Sequence, residues 1–160
     1  MRLVAVVLLS VFAFAVSGCA IKPILKDGET AQIVDVTVTT NETLYATDNI
    51  LEDVRVKTQD AAYRFSETGR EKSLEMEINH VHISSPGAAL FIGGHSTIGA
   101  KVKLIDKASG VPDQEFAAGG IIQRLGGIIG AIAAAGVDPI EEERELARLL
   151  AENVMLRIYG

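Results

Sequence analysis

The chain of 160 residues carries 15 lysines and arginines against 21 aspartates and glutamates, a net charge of −6 at neutral pH. Nucleic acids and anionic lipid headgroups bind basic surfaces, so this acidic composition argues against both as partners. The length suits one domain with one hydrophobic core, and the sequence contains no internal repeat.

The start of the chain has the pattern of an export signal. Met1 and Arg2 form a short basic segment, and residues 3–16 follow without a charged side chain. An uncharged run of this length fits the apolar part of an export signal and is shorter than the ~20 apolar residues of a membrane-spanning helix. We therefore predict that residues 1–18 are a signal peptide.

A cysteine follows this segment directly, in the sequence Val16-Ser17-Gly18-Cys19. Small residues that end on a cysteine resemble the lipobox of bacterial lipoproteins. The resemblance implies that the chain is cut after Gly18 and that Cys19 carries a thioether-linked diacylglycerol and an acylated amino group. Cys19 is the only cysteine of the chain, so it has no partner for an internal disulfide. The alternative is a secreted protein whose cysteine follows the signal by chance.

The lipobox resemblance also implies a location. One acyl chain binds a membrane only marginally, whereas the several chains of a lipoprotein cysteine hold it stably. Ala20 stands where an Asp commonly marks inner-membrane retention, so the resemblance implies the inner leaflet of the outer membrane, with the domain facing the periplasm. Cleavage would leave 14 basic and 21 acidic side chains, a net charge of about −7. We predict no cofactor apart from the covalent lipid on Cys19.

A tether, a strand and a helix are predicted next. Residues 19–31 include Pro23 and Gly28, show no periodicity, and are predicted to be a lipidated tether that reaches at most ~40 Å. From residue 32 to residue 40, valines alternate with polar residues, which predicts a strand with one buried face. Apolar residues at three- and four-residue steps from Asp48 onward predict a helix of about five turns, with Gly69 just beyond its end.

Alternating hydrophobicity predicts three further strands. They are placed at Ser73–Ser84, Ser96–Asp106 and Gln114–Ala118. The alternation slips by one residue at Asn79, and a β-bulge there would return the following apolar residues to the core side. Lysines that point outward from the second of these strands can pair with glutamates of the first. The open face of the sheet is therefore predicted to be a solvated charge surface.

The last predicted element is a helix that begins at Asp138-Pro139 with acidic residues in its first turn. The order β-α-β-β-β-α with one polar sheet face predicts an α+β fold: a mostly antiparallel four-stranded sheet with two helices packed on one face. Residues 32–160 would form this single domain, with a glycine- and alanine-rich insertion at 117–137. The layout, the lipobox and the KVKLIDKASG hairpin loosely resemble small exported lipoprotein domains of families without known function. That resemblance transfers no activity.

Three histidines are candidates for a metal site. His80 and His82 lie on one face of a predicted strand, and His95 follows across the next loop. Zinc accepts three such ligands and leaves a fourth position open, so a metal-binding protein or metal-dependent enzyme is the alternative function. Signatures of a nucleophile elbow, a phosphate-binding loop and a dinucleotide fingerprint each fail at a required position. We therefore predict a protein without enzymatic activity.

Eleven of the fifteen glycines lie between Gly87 and Gly136, and nine of these eleven lie in a loop at 86–94 and a connection at 117–136. Both segments would leave the same end of an antiparallel sheet, which we call the glycine-rich pole, and the tether would enter at the opposite end. Exposed apolar side chains there would form a contact surface for a protein partner, a second copy or the bilayer. The alternative is a mobile linker whose isoleucines pack against the core. The candidate contact residues are Leu90, Phe91, Ile92, Ile121, Ile122, Ile128, Ile129 and Ile132.

Together these patterns predict a periplasmic lipoprotein anchored to the cell outer membrane. Its domain would bind an envelope protein or a copy of itself, as an adaptor or assembly component, and would not bind nucleic acid.

Overall fold

The computed structural model describes residues 22–26, 28–41, 48–66, 68–84, 94–123 and 138–160. The predicted signal peptide and the lipidation site Cys19 lie outside the described residues. So do six of the eight candidate contact residues, which are Leu90, Phe91, Ile92, Ile128, Ile129 and Ile132.

Strands and helices follow one another in the predicted order. Strand β1 spans Ala31–Thr40, helix α1 Asp48–Phe65, strand β2 Arg70–His82, strand β3 His95–Asp106, strand β4 Pro112–Gln123 and helix α2 Pro139–Tyr159. The four strands form one sheet in the order β1-β2-β3-β4. Strand β1 runs parallel to β2, whereas the other two pairs are antiparallel. The predicted α+β fold with a mostly antiparallel sheet is confirmed.

The hydrophobic core lies between one face of the sheet and the two helices. Helix α1 covers β1, helix α2 covers β3 and β4, and the helices pack against each other. Alternate residues of β2 point inward, and Leu74, Met76 and Ile78 are at most 1% exposed. Leu146 and Leu150, four residues apart on α2, are fully buried against them. Burial of each such side chain stabilises the fold by roughly 1.5–3 kcal/mol relative to leaving it exposed.

The predicted β-bulge in β2 is confirmed. The pairing of β2 with β3 shifts between Ile78 and His80, so that Asn79 is the extra residue. Because of this shift, Val81 packs against the core while His80 and His82 are exposed. Without the bulge, the alternation would have turned Val81 toward solvent.

Strand β4 is longer than predicted. It was expected to end at Ala118 but continues to Gln123, so residues 117–123 of the expected insertion belong to the sheet. The prediction stopped early because glycine and alanine are typical of loops. Here glycine serves close packing: a Cβ atom on Gly120 would lie 3.0 Å from the Cβ atom of Leu149 on α2.

We predict that Gly120→Val lowers the free energy of unfolding by about 1–3 kcal/mol, because added methyl groups in a tightly packed site force the helix away from the strand. The measurement is urea unfolding of the unlipidated domain, residues 20–160. Ala117→Val is the matched control, since Ala117 is exposed on the open face of the same strand. Equal midpoints for the two variants would show that α2 does not need glycine at position 120.

The start of α2 follows the sequence prediction. Asp138 has an extended backbone conformation, and its Oδ1 accepts a hydrogen bond from the backbone N–H of Ile140 at 3.0 Å. Pro139 occupies the first helical turn, where a missing N–H costs nothing. Within the described ranges, neither α1 nor α2 nor any other helix combines the length and apolarity that crossing a membrane requires.

The sheet has two chemically different ends. Ala31, the first residue of β1, pairs with Arg70, and the hairpin after Asp106 lies at the same end. We call this end the tether pole, because residues 22–30 lead into it. His95 pairs with Gln123 at the other end, from which the loop after β2 and the connection after β4 depart. Strand β1 therefore begins at the end opposite to that at which β2 and β4 finish, as expected for the tether, while most residues of the glycine-rich pole lie outside the described ranges.

Candidate functional site

Residues 22–26 were predicted to be part of a free tether, but they are docked on the end of α2. The backbone N–H groups of Ile24 and Leu25 donate hydrogen bonds to the carbonyl oxygens of Arg157 and Ile158, at 3.0 and 3.1 Å. The last four carbonyl groups of a helix lack partners within it, and these bonds satisfy two of them. Both side chains also pack partly buried against the core. A short apolar segment without periodicity carried no sequence signal for this docking.

Two further contacts hold this segment in place. The Arg157 guanidinium donates a hydrogen bond from Nη1 to the carbonyl oxygen of Lys22 at 3.0 Å. Gly160 ends α2 with φ of 103°, a left-handed conformation that favours glycine. A Cβ atom on Gly160 would lie 2.9 Å from Cγ of Pro23, so the proline ring rests directly on the helix end. The described part of the predicted tether is thus an ordered extension of the domain.

A buried ion-pair cluster lies at the tether pole beside this segment. Lys72 is only 5% exposed. Its Nζ donates hydrogen bonds to Asp113 and, at 3.0 Å, to Asp106 Oδ2. Asp106 Oδ1 in turn accepts backbone hydrogen bonds from Ala108 and Ser109 in the β3–β4 hairpin. The cluster therefore joins β2, β3 and β4 at one point.

The contacts of this cluster set the protonation states of its members. The hydrogen bond from Lys72, and after it the backbone N–H of Ser109, lowers the pKa of the Asp106 carboxyl group. Burial lowers the pKa of the Lys72 ammonium, but its hydrogen bonds to Asp113 and Asp106 outweigh that effect and raise it. Both groups are therefore charged at neutral pH. The sequence pattern did not reveal the cluster because the predicted strand began at Ser73, which left Lys72 outside it, whereas β2 begins at Arg70.

A cleft of about 520 Å³ opens next to the cluster, lined in part by Leu25, Lys26, Glu29 and Arg70. Its lining carries both signs of charge. Lys72, which also lines the cleft, is already bonded to two carboxylates. These bonds indicate that Lys72 is part of a structural ion-pair cluster and that its ammonium group is not available to a substrate.

We predict that Asp106→Asn weakens the dependence of stability on pH. The pKa of Asp106 is lower in the folded protein than in the unfolded chain, where it is about 3.9. The ionised carboxylate therefore stabilises the fold above about pH 3.9, and this stabilisation is lost as the pH falls through the folded pKa. The melting temperature of the wild type should therefore fall more steeply below about pH 4 than that of the variant. Asp60→Asn, on the exposed side of α1, is the control. Parallel melting curves for wild type and Asp106→Asn would contradict the prediction.

The three histidines lie on the exposed side of the sheet near the glycine-rich pole. The His80 Nε2 atom is 2.8 Å from the Thr97 hydroxyl oxygen. The ring centroids of His82 and His95 are 6.1 Å apart. In the part of the chain that the structure describes, no group of three or more His, Cys, Asp or Glu side chains is arranged to hold a metal ion.

The open face of the sheet carries the charge ladder that the sequence predicts. Glu75 lies opposite Lys103, and Glu77 lies opposite Lys101, in the register of β2 and β3. The ion pair of Lys101 is formed with Glu115 on β4, at 2.9 Å, and both side chains are about half exposed. This face of the sheet is therefore a solvated surface. Because water screens exposed ion pairs, each contributes at most about 1 kcal/mol to stability.

Two of the candidate contact residues lie in the described part of β4. Ile121 is 53% exposed, whereas its neighbour Ile122 packs partly against the core. Successive residues of a strand point to opposite faces, so the two isoleucines cannot belong to one surface. The predicted fourth strand ended at Ala118, so its alternation did not separate the two isoleucines, whereas β4 continues to Gln123.

A buried polar network at the glycine-rich pole was also missed. The backbone N–H of Ser84 donates to Ser96 Oγ at 2.8 Å, and Ser96 Oγ donates to Glu142 Oε1 at 2.7 Å. Glu142 is only 5% exposed although it lies in the acidic first turn of α2. It precedes Leu146 by four residues and therefore shares the inward face of the helix, a spacing from which its burial could have been predicted. The network joins the start of α2 to the sheet.

No family model matches this sequence, and no curated protein matches it. Among solved structures, it is similar to the PelC dodecamer from Paraburkholderia phytofirmans, with 15% identity, 85% of this chain and 96% of that chain covered, and a TM-score of 0.45. It is similar to protein XCC0632 from Xanthomonas campestris, with 11% identity, coverage of 84% and 90%, and a TM-score of 0.45. It is also similar to a minor lipoprotein from Acinetobacter baumannii, with 11% identity, coverage of 76% and 84%, and a TM-score of 0.33. Similarity at this level does not establish a shared function.

Proposed function

We propose that this protein is a lipoprotein of the bacterial cell envelope that acts by binding, as an adaptor or assembly component, rather than by catalysis. The observation that carries the proposal is the sequence Val16-Ser17-Gly18-Cys19 directly after an uncharged segment. The single cysteine of the chain stands where a lipobox requires it. Because Ala20 follows that cysteine, we propose the outer membrane as its location, with the domain in the periplasm.

The described residues support binding rather than acid–base chemistry. General acids and bases must reach the substrate from a cleft with their proton available for transfer. Lys72 is instead held by two carboxylates, and Glu142 is buried and accepts a hydrogen bond from Ser96. These charged groups join elements of the fold to one another.

The contact surface of the proposed adaptor is the glycine-rich pole. We predict that Ile128→Asp plus Ile132→Asp leaves helix content and melting of residues 20–160 nearly unchanged but abolishes self-association or partner capture. The physical reason is that carboxylates in an apolar interface lose hydration without gaining a partner. Circular dichroism and crosslinking in cells, followed by identification of the captured protein, measure the two properties.

Val56→Asp is the control for this double variant, because Val56 lies partly exposed on α1, away from the glycine-rich pole. It should crosslink like the wild type. If the double variant unfolds, its isoleucines belong to the core. If the double variant folds and crosslinks normally, the glycine-rich pole is not the binding surface.

A further inference from the structure

We infer that the tether pole rests against the headgroup layer of the membrane that holds Cys19, so that the glycine-rich pole points away from that membrane. The inference rests on the proposed lipidation of Cys19 and adds the orientation of the domain and the surface that meets the lipid.

The chain between the proposed lipid and the domain is too short to let the domain turn freely. The hydrogen bonds of Lys22, Ile24 and Leu25 fix the chain to the end of α2. Only Ala20 and Ile21 separate Lys22 from the cysteine. Three Cα–Cα steps of about 3.8 Å span at most ~11 Å, compared with ~40 Å for a free tether of twelve residues. A lipid on Cys19 therefore keeps this end of the domain within reach of the headgroups.

The tether pole also exposes apolar side chains that can contact lipid. Phe65 ends α1 and is 39% exposed, although its ring stacks on Tyr159 with 5.7 Å between centroids. Val111 in the β3–β4 hairpin is 59% exposed, and Leu156 in the last turn of α2 is 43% exposed. Aromatic and aliphatic groups beside charged ones suit the boundary between water and lipid.

The distribution of charge between the two ends favours the same orientation. The exposed cations at the tether pole are Lys22, Lys26, Arg70 and Lys107. Glu29 and Glu71 lie among them, and Asp106 and Asp113 bring two negative charges against the one positive charge of Lys72, to which both are bonded. The opposite end carries the start of α2, where Asp138, Glu141 and Glu143 outnumber Arg144, the ion-pair partner of Glu141. Although the chain as a whole is acidic, the named cations of the first end slightly outnumber its carboxylates. Lipid phosphates therefore attract the first end weakly and repel the second over about one Debye length, ~8–10 Å.

Fluorescence quenching in vesicles tests the orientation. Lipidation consumes the sulfur of Cys19, so Val111→Cys and Gln123→Cys each offer a single free thiol to a fluorophore. The labelled full-length proteins are added from detergent to preformed vesicles of phosphatidylethanolamine and phosphatidylglycerol that contain a lipid with a nitroxide on its headgroup. Strand β4 separates the two positions by roughly 35 Å, so we expect quenching at Val111→Cys to exceed that at Gln123→Cys at least about twofold. Equal quenching, or stronger quenching at Gln123→Cys, would overturn the inference.

A longer tether is the matched control. Insertion of twenty Gly and Ser residues between Ala20 and Ile21 adds about 25 Å of root-mean-square reach and leaves the docked segment intact. Quenching at Val111→Cys should then fall toward that at Gln123→Cys. Unchanged quenching would overturn the inference, because the short chain would not be what holds the pole. Flotation of the vesicles separates the two proposals: protein that does not float refutes lipid anchoring, whereas floating protein with equal quenching refutes only the orientation.

Discussion

Cys19→Ala is expected to abolish incorporation of an alkyne fatty acid and to move the protein from the membrane fraction to the soluble fraction. The thioether bond needs the cysteine sulfur, and no other cysteine of the chain can replace it. Loss of the acyl chains removes the apolar surface that holds the protein in the bilayer, worth about 0.8 kcal/mol for each buried CH₂ group. The measurement is labelling in cells, followed by fractionation and blotting.

Ala20→Ser is the control for this experiment, because it changes a small neighbour and keeps the sulfur. It should label and fractionate like the wild type. If Cys19→Ala is labelled and remains with the membranes as well as the wild type does, the chain is not a lipoprotein of this kind, and the proposed function fails with it.

Leu150→Ala is expected to lower the free energy of unfolding of residues 20–160 by about 2–5 kcal/mol. Leu150 is fully buried in the core on the inward face of α2. Truncation removes apolar contacts and leaves a cavity that the surrounding sheet and helices fill only in part. Urea unfolding followed by circular dichroism measures the loss, provided that the slope of the transition is unchanged.

Leu156→Ala compares the same substitution on the same helix at a side chain that is 43% exposed. In the unlipidated domain it should cost much less, within about 1 kcal/mol. Similar losses for the two variants would mean that α2 does not pack on the sheet through the face that contains Leu150.

The two poles of the sheet have different proposed contacts. Residues 22–26 dock on α2 at the end of the sheet that would lie next to the proposed lipid on Cys19, and β4 finishes at the other end. A partner in the periplasm would therefore meet the glycine-rich pole, whereas the membrane would meet the tether pole. The quenching experiment and the crosslinking experiment address these surfaces separately.

Local sequence patterns predicted the features that local physics controls. The alternation of apolar residues predicted β2, β3 and the bulge at Asn79, because successive side chains of a strand point to opposite faces of the sheet. Asp138 and Pro139 marked the start of α2, because a cap needs only the residues next to it. The segment that resembles a lipobox is likewise short, so the proposal that Cys19 is lipidated rests on residues 16–19 alone.

Only the tertiary structure decided the features that depend on residues far apart in the chain. Ile24 and Leu25 dock because α2, more than a hundred residues later, presents unpaired carbonyl groups. Gly120 belongs to β4 because Ile98 of β3 pairs with it, and the close approach of α2 leaves no room there for a larger residue. Lys72 is buried because carboxylates of β3 and β4 meet it. The sequence by itself determined the order of the elements and the candidate lipidation site, because both follow from neighbouring residues. Long-range partners determined which short segments and which charges became part of the core.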